Sequence, residues 1–241
     1  MTQEDRPRDT HAQSPHAQDP HARDTHAQDP RPRKRRTRSR EKILAAAEVQ
    51  FLAHGYLGTS MDAVTEQAGV SKQTVYAHFA SKETLFRAVI AAMTGGAVAD
   101  HRARVGEAPQ AETVGRYLET YAREQLAVVI TPRLMALRRL VIGEVTRFPD
   151  LGAHLYRNGP GASIDRLEAA IAHFGSRGAL CVADPAAAAD LFNWMVMGGA
   201  VARAMHLGDA GLPSAAWSAA HARECTRVFL AAYGPAPGPA R

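Results

Sequence analysis

The stretch GVSKQTVYAHFASKETLF, residues 69–86, decides the fold because it combines a turn, a short helix and the start of another helix. Gly69 suits a turn between helices, and Ser71 follows at a position suited to a helix N-cap. Val75 and Phe79 lie four residues apart, so they share one apolar side of the short helix. The other side carries hydroxyl, amide and ammonium groups, which predicts a surface that binds a polar partner.

Helical patterns continue upstream of this stretch. An apolar stripe from Ile43 to Phe51 predicts a first helix, which Gly55 is expected to end. Thr59 is predicted to cap a short second helix that runs up to the turn. Two short helices joined by a turn that contains glycine form a helix-turn-helix unit, here placed at residues 60–79.

Composition limits the class of protein. The chain has 241 residues, of which 46% are hydrophobic and 6% aromatic, and its many alanines favour helices. Cys181 and Cys225 are too far apart in sequence for a short-spaced zinc motif, and a reducing compartment is the simplest setting. The most apolar helical segment, around residues 191–202, is too short to span a bilayer, and the N-terminus has no signal-peptide core. We therefore expect a cytoplasmic, nucleoid-associated protein with no membrane partner.

The N-terminal arm carries most of the positive charge. Residues 31–42 hold eight basic residues and one acidic residue, while the whole chain has a net charge of +5. Such arms often bind nucleic acid, and a solvated linker is the alternative. Residues 11–30 repeat a five-residue His-Ala-Gln-Asp-Pro-like unit that has no large apolar side chain, so residues 1–36 are predicted to be disordered. Without cysteines or a scaffold, the repeated histidines favour disorder over a metal site.

The second helix of the unit has the side chains that read DNA. Its first residues face base edges in a major groove, and these are Lys72, Gln73 and Thr74. Glutamine pairs with adenine, lysine donates to guanine, and the threonine methyl contacts the thymine methyl. Tyr76 and His78 lie on the flank, where ring groups donate to phosphate oxygens.

Other polar residues around the unit are expected to bind the DNA backbone. Lys82 and the hydroxyls at the start of the second helix lie near free backbone N–H groups, while an arginine of the arm is expected to reach an adjacent minor groove. Ser71 is expected to act first as a helix cap. The predicted DNA-binding residues are Arg38, Thr59, Ser60, Ser71, Lys72, Gln73, Thr74, Tyr76, His78 and Lys82.

These motifs resemble a known family. The segment TSMDAVTEQAGVSKQTVYAHFASKETLF, residues 59–86, together with the preceding Phe-x-x-x-Gly, resembles the DNA-binding domain of TetR-family transcriptional regulators. The resemblance implies that residues 37–97 form a three-helix DNA-binding domain whose matching positions grip an operator.

The rest of the chain is predicted to be helical as well. LRRLVIGEVTRFPDL and the later GAL…DPAAAADLF pattern are similar to the AefR-like C-terminal domain found in part of that family. The fold class is therefore all-α: an N-terminal three-helix helix-turn-helix domain plus a larger C-terminal helical ligand-binding and dimerisation domain, residues 98–234. Residues 235–241 are expected to be a disordered tail.

The sequence of the C-terminal region and of the helix that leads into it suggests a helix–helix contact, a bend or cap, and a ligand pocket. Small residues on its last two helices are either a core contact or, as the resemblance implies, part of a four-helix dimer interface: Gly198, Gly199, Ala202, Ala215, Ala219 and Ala222. Gly95 and Gly96 are a candidate bend or cap near the end of the fourth helix. A pocket for a small apolar molecule is predicted from Tyr117, Tyr121, Leu137, Val141, Glu144, Phe148, Leu155, Phe174, Phe192 and Trp194.

Function follows from the motifs that are present and those that are missing. The sequence contains no His-Glu-x-x-His, Gly-x-Ser-x-Gly or phosphate-binding glycine loop, so we expect neither an enzyme nor a cofactor or metal site. The favoured hypothesis is a homodimeric, ligand-responsive repressor that binds a palindromic double-stranded DNA operator and releases it when an unidentified small effector binds. The alternatives are a non-specific nucleoid-type DNA-binding protein and a helical small-molecule carrier.

Overall fold

A computed structural model describes residues 30–105 and 113–235, and every regular element in these two ranges is a helix. The His-containing repeat and most of the C-terminal tail lie outside the described residues. The first four helices are α1 Pro30–Gly58, α2 Met61–Ala68, α3 Lys72–His78 and α4 Lys82–Val105. Then follow α5 Val114–Val129, α6 Pro132–Gly143, α7 Pro149–Tyr156, α8 Ala162–Ser176, α9 Pro185–Leu207 and α10 Ala215–Tyr233.

Helix α1 is longer than the sequence indicates. It begins at Pro30, so residues 30–36, which were predicted to be disordered, are helical. Proline is well tolerated in a first helical turn, and the arginines and lysine that follow are good helix formers. At Gly55 the backbone leaves helical geometry with a φ of 70°, which confirms this glycine as the end of the regular helix.

The turn into α2 corrects one predicted cap. Thr59 is buried, and its hydroxyl donates to the Gly55 carbonyl across 2.8 Å, so it fixes the bend after α1. Ser60 caps α2 instead, because its hydroxyl accepts a hydrogen bond from the Ala63 N–H at 3.1 Å. Gly69 then ends α2 in the left-handed conformation, with a φ of 61°, as predicted.

The core of the DNA-binding unit extends beyond the unit itself. Phe51, Val75 and Phe86 are fully buried within it. The same cluster of buried side chains includes Leu137 on α6 and Phe148 between α6 and α7. A segment of the second domain is therefore part of the first domain's core.

Phe148 is the aromatic centre of this junction between the domains. Its ring packs edge-on against Tyr56 with centroids 4.9 Å apart, and it also contacts Phe86 at 5.7 Å. Exposed ion pairs border the junction: Arg87 on α4 pairs with Asp150 on α7, and Arg133 on α6 pairs with Glu48 on α1. The two domains are thus held together mainly by apolar packing.

The C-terminal domain has its own core between α5, α8, α9 and α10. Tyr121 and Phe192 are fully buried there, and Phe192 packs edge-on against Phe229 with centroids 5.1 Å apart. A π-helical turn, Arg157–Gly161, joins α7 to α8. A Cβ at Gly161 would lie 3.2 Å from the Tyr156 carbonyl oxygen, so a larger residue there would need a small shift of the backbone.

Helix α4 connects the two domains without interruption. Gly95 and Gly96 lie inside it, and the helix continues to Val105, so in this structure they form neither a bend nor a cap. None of the helices in residues 30–105 and 113–235 is both long enough and apolar enough to cross a bilayer.

We predict that Phe148→Ala lowers the free energy of unfolding by about 3–5 kcal/mol, because it leaves a cavity among buried aromatic rings. Ile142→Ala is a matched control: Ile142 is 54% exposed on the same segment, and the expected change is about 0.5 kcal/mol or less. Urea unfolding of both variants measures the difference. Equal, small effects would show that Phe148 does not join the domains.

Candidate nucleic-acid interface and internal cavity

Helix α3 is held by its apolar side and presents its polar side to solvent. Val75 is fully buried and Phe79 is 3% exposed, so these two side chains fix the orientation of the helix. On the opposite side Gln73 and Tyr76 are exposed, and Tyr76 retains 44% of its accessible surface. This is the orientation that a base-reading helix requires.

Successive serine caps determine where α3 and α4 begin. Ser71 caps α3 by accepting from the Thr74 N–H at 3.2 Å, and its hydroxyl also bonds the Thr74 hydroxyl at 2.8 Å. Ser81 caps α4 in the same way through Thr84. Thr74 is therefore half-buried and already hydrogen-bonded, which leaves its methyl group as the free part of the side chain.

Lys72 is paired within the helix-turn-helix unit. Its ammonium lies 2.7 Å from the Asp62 carboxylate on α2, and both side chains are largely exposed. The hydrogen bond from Lys72 to Asp62 raises the pKa of Lys72. Because exposed pairs contribute little to stability, a DNA phosphate or base can replace Asp62 as the partner.

Lys82 occupies a different position from the one predicted. Its ammonium donates to the Thr59 carbonyl at 2.8 Å and lies 4.6 Å from the centre of the Tyr56 ring. The long side chain reaches back to the end of α1, where unpaired carbonyls attract a cation. The residue is half-buried, so it combines a structural role with a charge near the DNA-facing surface.

A basic groove runs between α1 and α3. Arg35 and Arg36 line one side of it, and Thr74 and His78 line the other. Burial lowers the pKa of His78, and the charges of Arg36 and Arg40 lower it further, so the ring is neutral at pH 7. The arginines therefore supply the positive charge, while His78 supplies a neutral hydrogen-bonding group.

The structure brings most of the predicted DNA-binding residues to one surface. Ser60, Ser71, Lys72, Gln73 and Tyr76 are exposed around α2 and α3, and Arg38 is exposed on α1. Thr59 is buried, whereas Thr74, His78 and Lys82 are half-buried. Sequence reasoning missed Arg35 and Arg36 as neighbours of α3, since their position depends on the helical extension of α1.

A cavity of about 70 Å³ lies between α4, α5, α6, α8 and α9, with the π-helical turn at its edge. Leu137 and Leu134 on α6 form part of its apolar wall. Leu137 also belongs to the core of the DNA-binding unit, so its side chain is shared by the cavity wall and that core. A shallower depression on the outside of α6 and α7 shares Arg138 and Trp194 with the cavity.

The predicted pocket residues divide into three groups. Leu137, Leu155 and Trp194 line the cavity. Val141 and Phe148 pack in the domain junction, and Glu144 pairs with Arg147. The large aromatic residues Tyr117, Tyr121, Phe174 and Phe192 are buried in the C-terminal core, although Tyr121 contacts two cavity-lining residues.

The polar groups of the cavity were missed by sequence reasoning. His101 and Gln125 are 3% and 2% exposed, yet the Nε2 atom of His101 and the Oε1 atom of Gln125 have no hydrogen-bond partner among the described residues. The Gln125 amide donates to Asn193 Oδ1 at 2.8 Å. Arg138 and Arg166 also line the cavity. These residues lie far apart in the sequence, each on a different helix, so no local motif reveals them.

Known families match both parts of the chain. Residues 43–89 match the family described as bacterial regulatory proteins of the tetR family, and residues 116–235 match the AefR-like transcriptional repressor C-terminal domain. The HTH-type transcriptional activator FasR of Mycolicibacterium smegmatis is 43% identical over 51 residues, which are 21% of this chain and 23% of that protein. The curated relative is thus matched over less than a quarter of its length.

Solved structures extend the likeness to almost the whole described chain. A protein of Mesorhizobium loti MAFF303099 assigned to the TetR family is 32% identical with a TM-score of 0.76, and the match covers 83% of this chain and 98% of that one. The flavonoid-responsive regulator FrrA is 30% identical with a TM-score of 0.68, covering 83% of this chain and all of that one. The exposed reading helix, the helical second domain and these matches agree, and the chain belongs to the TetR family of transcriptional regulators.

Proposed function

We propose that this protein is a dimeric repressor that reads its operator with α3 and releases the DNA when a small effector enters the cavity. The observation that carries this proposal is the double role of Leu137, which lines the cavity and packs in the core of the DNA-binding unit. The finding that a relative at 30% identity is a flavonoid-responsive regulator supports an effector-controlled function.

The size of the cavity favours a wedge mechanism. Sites for drug-sized molecules measure roughly 300–1,000 Å³, whereas the cavity measures about 70 Å³. An effector of that size must push the walls apart, and α6 is one of these walls. Movement of α6 displaces Phe148 and with it the packing around Tyr56 and Phe86. The repressor thus has one geometry that fits DNA and another that fits the effector, which is what control by a ligand requires.

Large apolar side chains that are exposed on α9 and α10 support dimerisation through these two helices. Leu191 and Trp194 on α9, and Trp217 and Val228 on α10, are large apolar side chains with 36–53% of their surface exposed. Ala222, one of the small residues predicted to lie at the interface, is instead fully buried in the protomer core. The proposed interface therefore combines these exposed apolar residues with the accessible small residues, and it pairs two reading helices for two half-sites.

The reading role of α3 is tested by two substitutions. Gln73→Ala is expected to cost about 1–3 kcal/mol on the preferred operator and to relax the preference at one base position. Tyr76→Phe removes only an exposed hydroxyl, which we expect to donate to a DNA phosphate, so it should weaken binding to specific and random DNA alike. Selection of DNA from a random pool, followed by affinity measurements, distinguishes these results. If both variants keep the wild-type preference, α3 does not read bases.

The Lys72–Asp62 pair provides a gain-of-affinity test. Asp62→Asn releases the Lys72 ammonium and removes a negative charge, so DNA affinity should rise for all sequences and the slope of log affinity against log salt should steepen by about 1. Glu66→Gln, on the same helix and equally exposed, removes the same charge without releasing a lysine. An identical effect of the two variants on the salt slope would show that Lys72 does not bind DNA.

Effector control is tested through its reciprocity. A panel headed by flavonoids is screened for compounds that stabilise the full chain, and the best binder is titrated by calorimetry with and without operator DNA. A coupling of about 1–3 kcal/mol should make the binder 5- to 150-fold weaker on the DNA complex. Equal affinity in the two titrations would limit the second domain to dimerisation.

A further inference from the structure

Two cations face the cavity, and neither has a carboxylate partner in the part of the chain that the structure describes. Arg138 on α6 lines the cavity and has no hydrogen bond or ion pair among the described residues. Arg166 on α8 also lines it, and among the described residues its guanidinium hydrogen-bonds only the ring of His101, at 3.0 Å from Nδ1. None of the residues that line the cavity is Asp or Glu. The cavity therefore contains two positive charges that are not neutralised from within its walls.

The contact between Arg166 and His101 determines which ring nitrogen of the neutral histidine carries the proton. A guanidinium is a donor only, so Nδ1 must accept and the neutral ring must carry its proton on Nε2. Burial and, to a lesser extent, the charge of Arg166 together lower the pKa of His101 to about 4. The Nε2–H group is thus a buried donor with no partner among the described residues. Tyr121 packs edge-on against the ring at 4.9 Å and holds it in place.

The acidic side chain that acts on His101 is already paired with other arginines. Glu124 influences the titration of His101 but is paired with Arg104 at 3.6 Å and Arg123 at 3.3 Å. Unpaired charges and unsatisfied polar groups inside a protein lower its stability, so their presence is consistent with a role in binding. The donors of Arg138, Arg166 and His101 all suit an anion.

We propose that the effector of this cavity is a small apolar molecule with one carboxylate, which pairs with the guanidinium groups of Arg138 and Arg166. This inference rests on the proposed function and adds the chemical class of the effector. A carboxylate matches the planar guanidinium with its two oxygens. The apolar remainder of the molecule packs against Leu134, Leu137 and Met197, which line the same cavity.

The stability of the ligand-free protein gives a first test. Arg138→Met removes an unpaired charge but keeps the apolar stem, so the Tm should rise by about 2–4 °C. Arg139→Met is the matched control, because the neighbouring guanidinium donates to the Ala204 carbonyl at 3.1 Å, and its loss should lower the Tm. A lower Tm for Arg138→Met as well would show that Arg138 has a structural role and would overturn its assignment.

Matched pairs of acids and primary amides give the decisive test. Benzoate, 2-naphthoate and octanoate are titrated by calorimetry into the full-length protein against benzamide, 2-naphthamide and octanamide. At least one acid should bind about 10- to 100-fold more tightly than its amide, the equivalent of about 1.4–2.8 kcal/mol. Arg138→Met and Arg166→Met should each reduce that preference, while Arg139→Met should keep it.

The possible outcomes separate this inference from the proposed function. If an acid and its amide bind equally and operator DNA weakens both, effector control stands and the carboxylate assignment is overturned. If an acid binds preferentially but DNA has no effect on its affinity, the carboxylate site is supported and effector control is contradicted. If none of the six compounds binds, the carboxylate assignment is overturned, while the flavonoid screen still tests effector control.

Discussion

The structure depends on the packing of one segment of the second domain into the core of the first. Leu137 and Phe148 belong to the C-terminal domain in sequence, but their side chains pack in the apolar cluster of the DNA-binding unit. Without Phe148, the rings of Tyr56 and Phe86 would lose an aromatic neighbour. Because close-packed interiors do not deform continuously, a displacement of this segment must be transmitted to the helices around it. The position of α3 is thereby linked to the walls of the cavity.

The DNA-facing surface and the cavity follow different physical rules. On α3 the polar side chains are exposed, and their orientation is set by Val75 and Phe79 on the buried side. In the cavity the polar side chains are buried and incompletely paired, as His101 and Gln125 show. The first arrangement costs little stability and suits a large, hydrated partner. The second costs stability and suits a small partner that replaces water on binding.

The sequence predicted the DNA-binding domain well because its signals are local. Caps such as Ser71 and turn glycines such as Gly69 act on their immediate neighbours, so their roles could be inferred from a few residues. The predicted start of α1 was wrong, because the composition of the residues before Thr37 favoured disorder over helix.

The cavity was predicted poorly because its signals are not local. Large aromatic residues such as Tyr117 and Phe192 suggested a pocket, but they gain most from complete burial and lie in the core. The true polar lining depends on contacts such as Gln125 with Asn193, 68 residues apart, which no sequence pattern reveals. Leu137 lines the cavity, and its second contact surface depends on the arrangement of the two domains, which the sequence does not show.

We propose that a ligand bound in the cavity changes the distance between the two α3 helices of the dimer. Pulsed electron spin resonance measures this distance with one label per protomer at Ala77→Cys, an exposed position on α3. The exposed Cys181 is first changed to serine, and the buried Cys225 is left in place. On operator DNA the helices should lie about 34–36 Å apart, the spacing of one turn. A saturating cavity ligand should shift the distance away from that value, and an unchanged distance in a protein shown to hold the ligand would contradict the account.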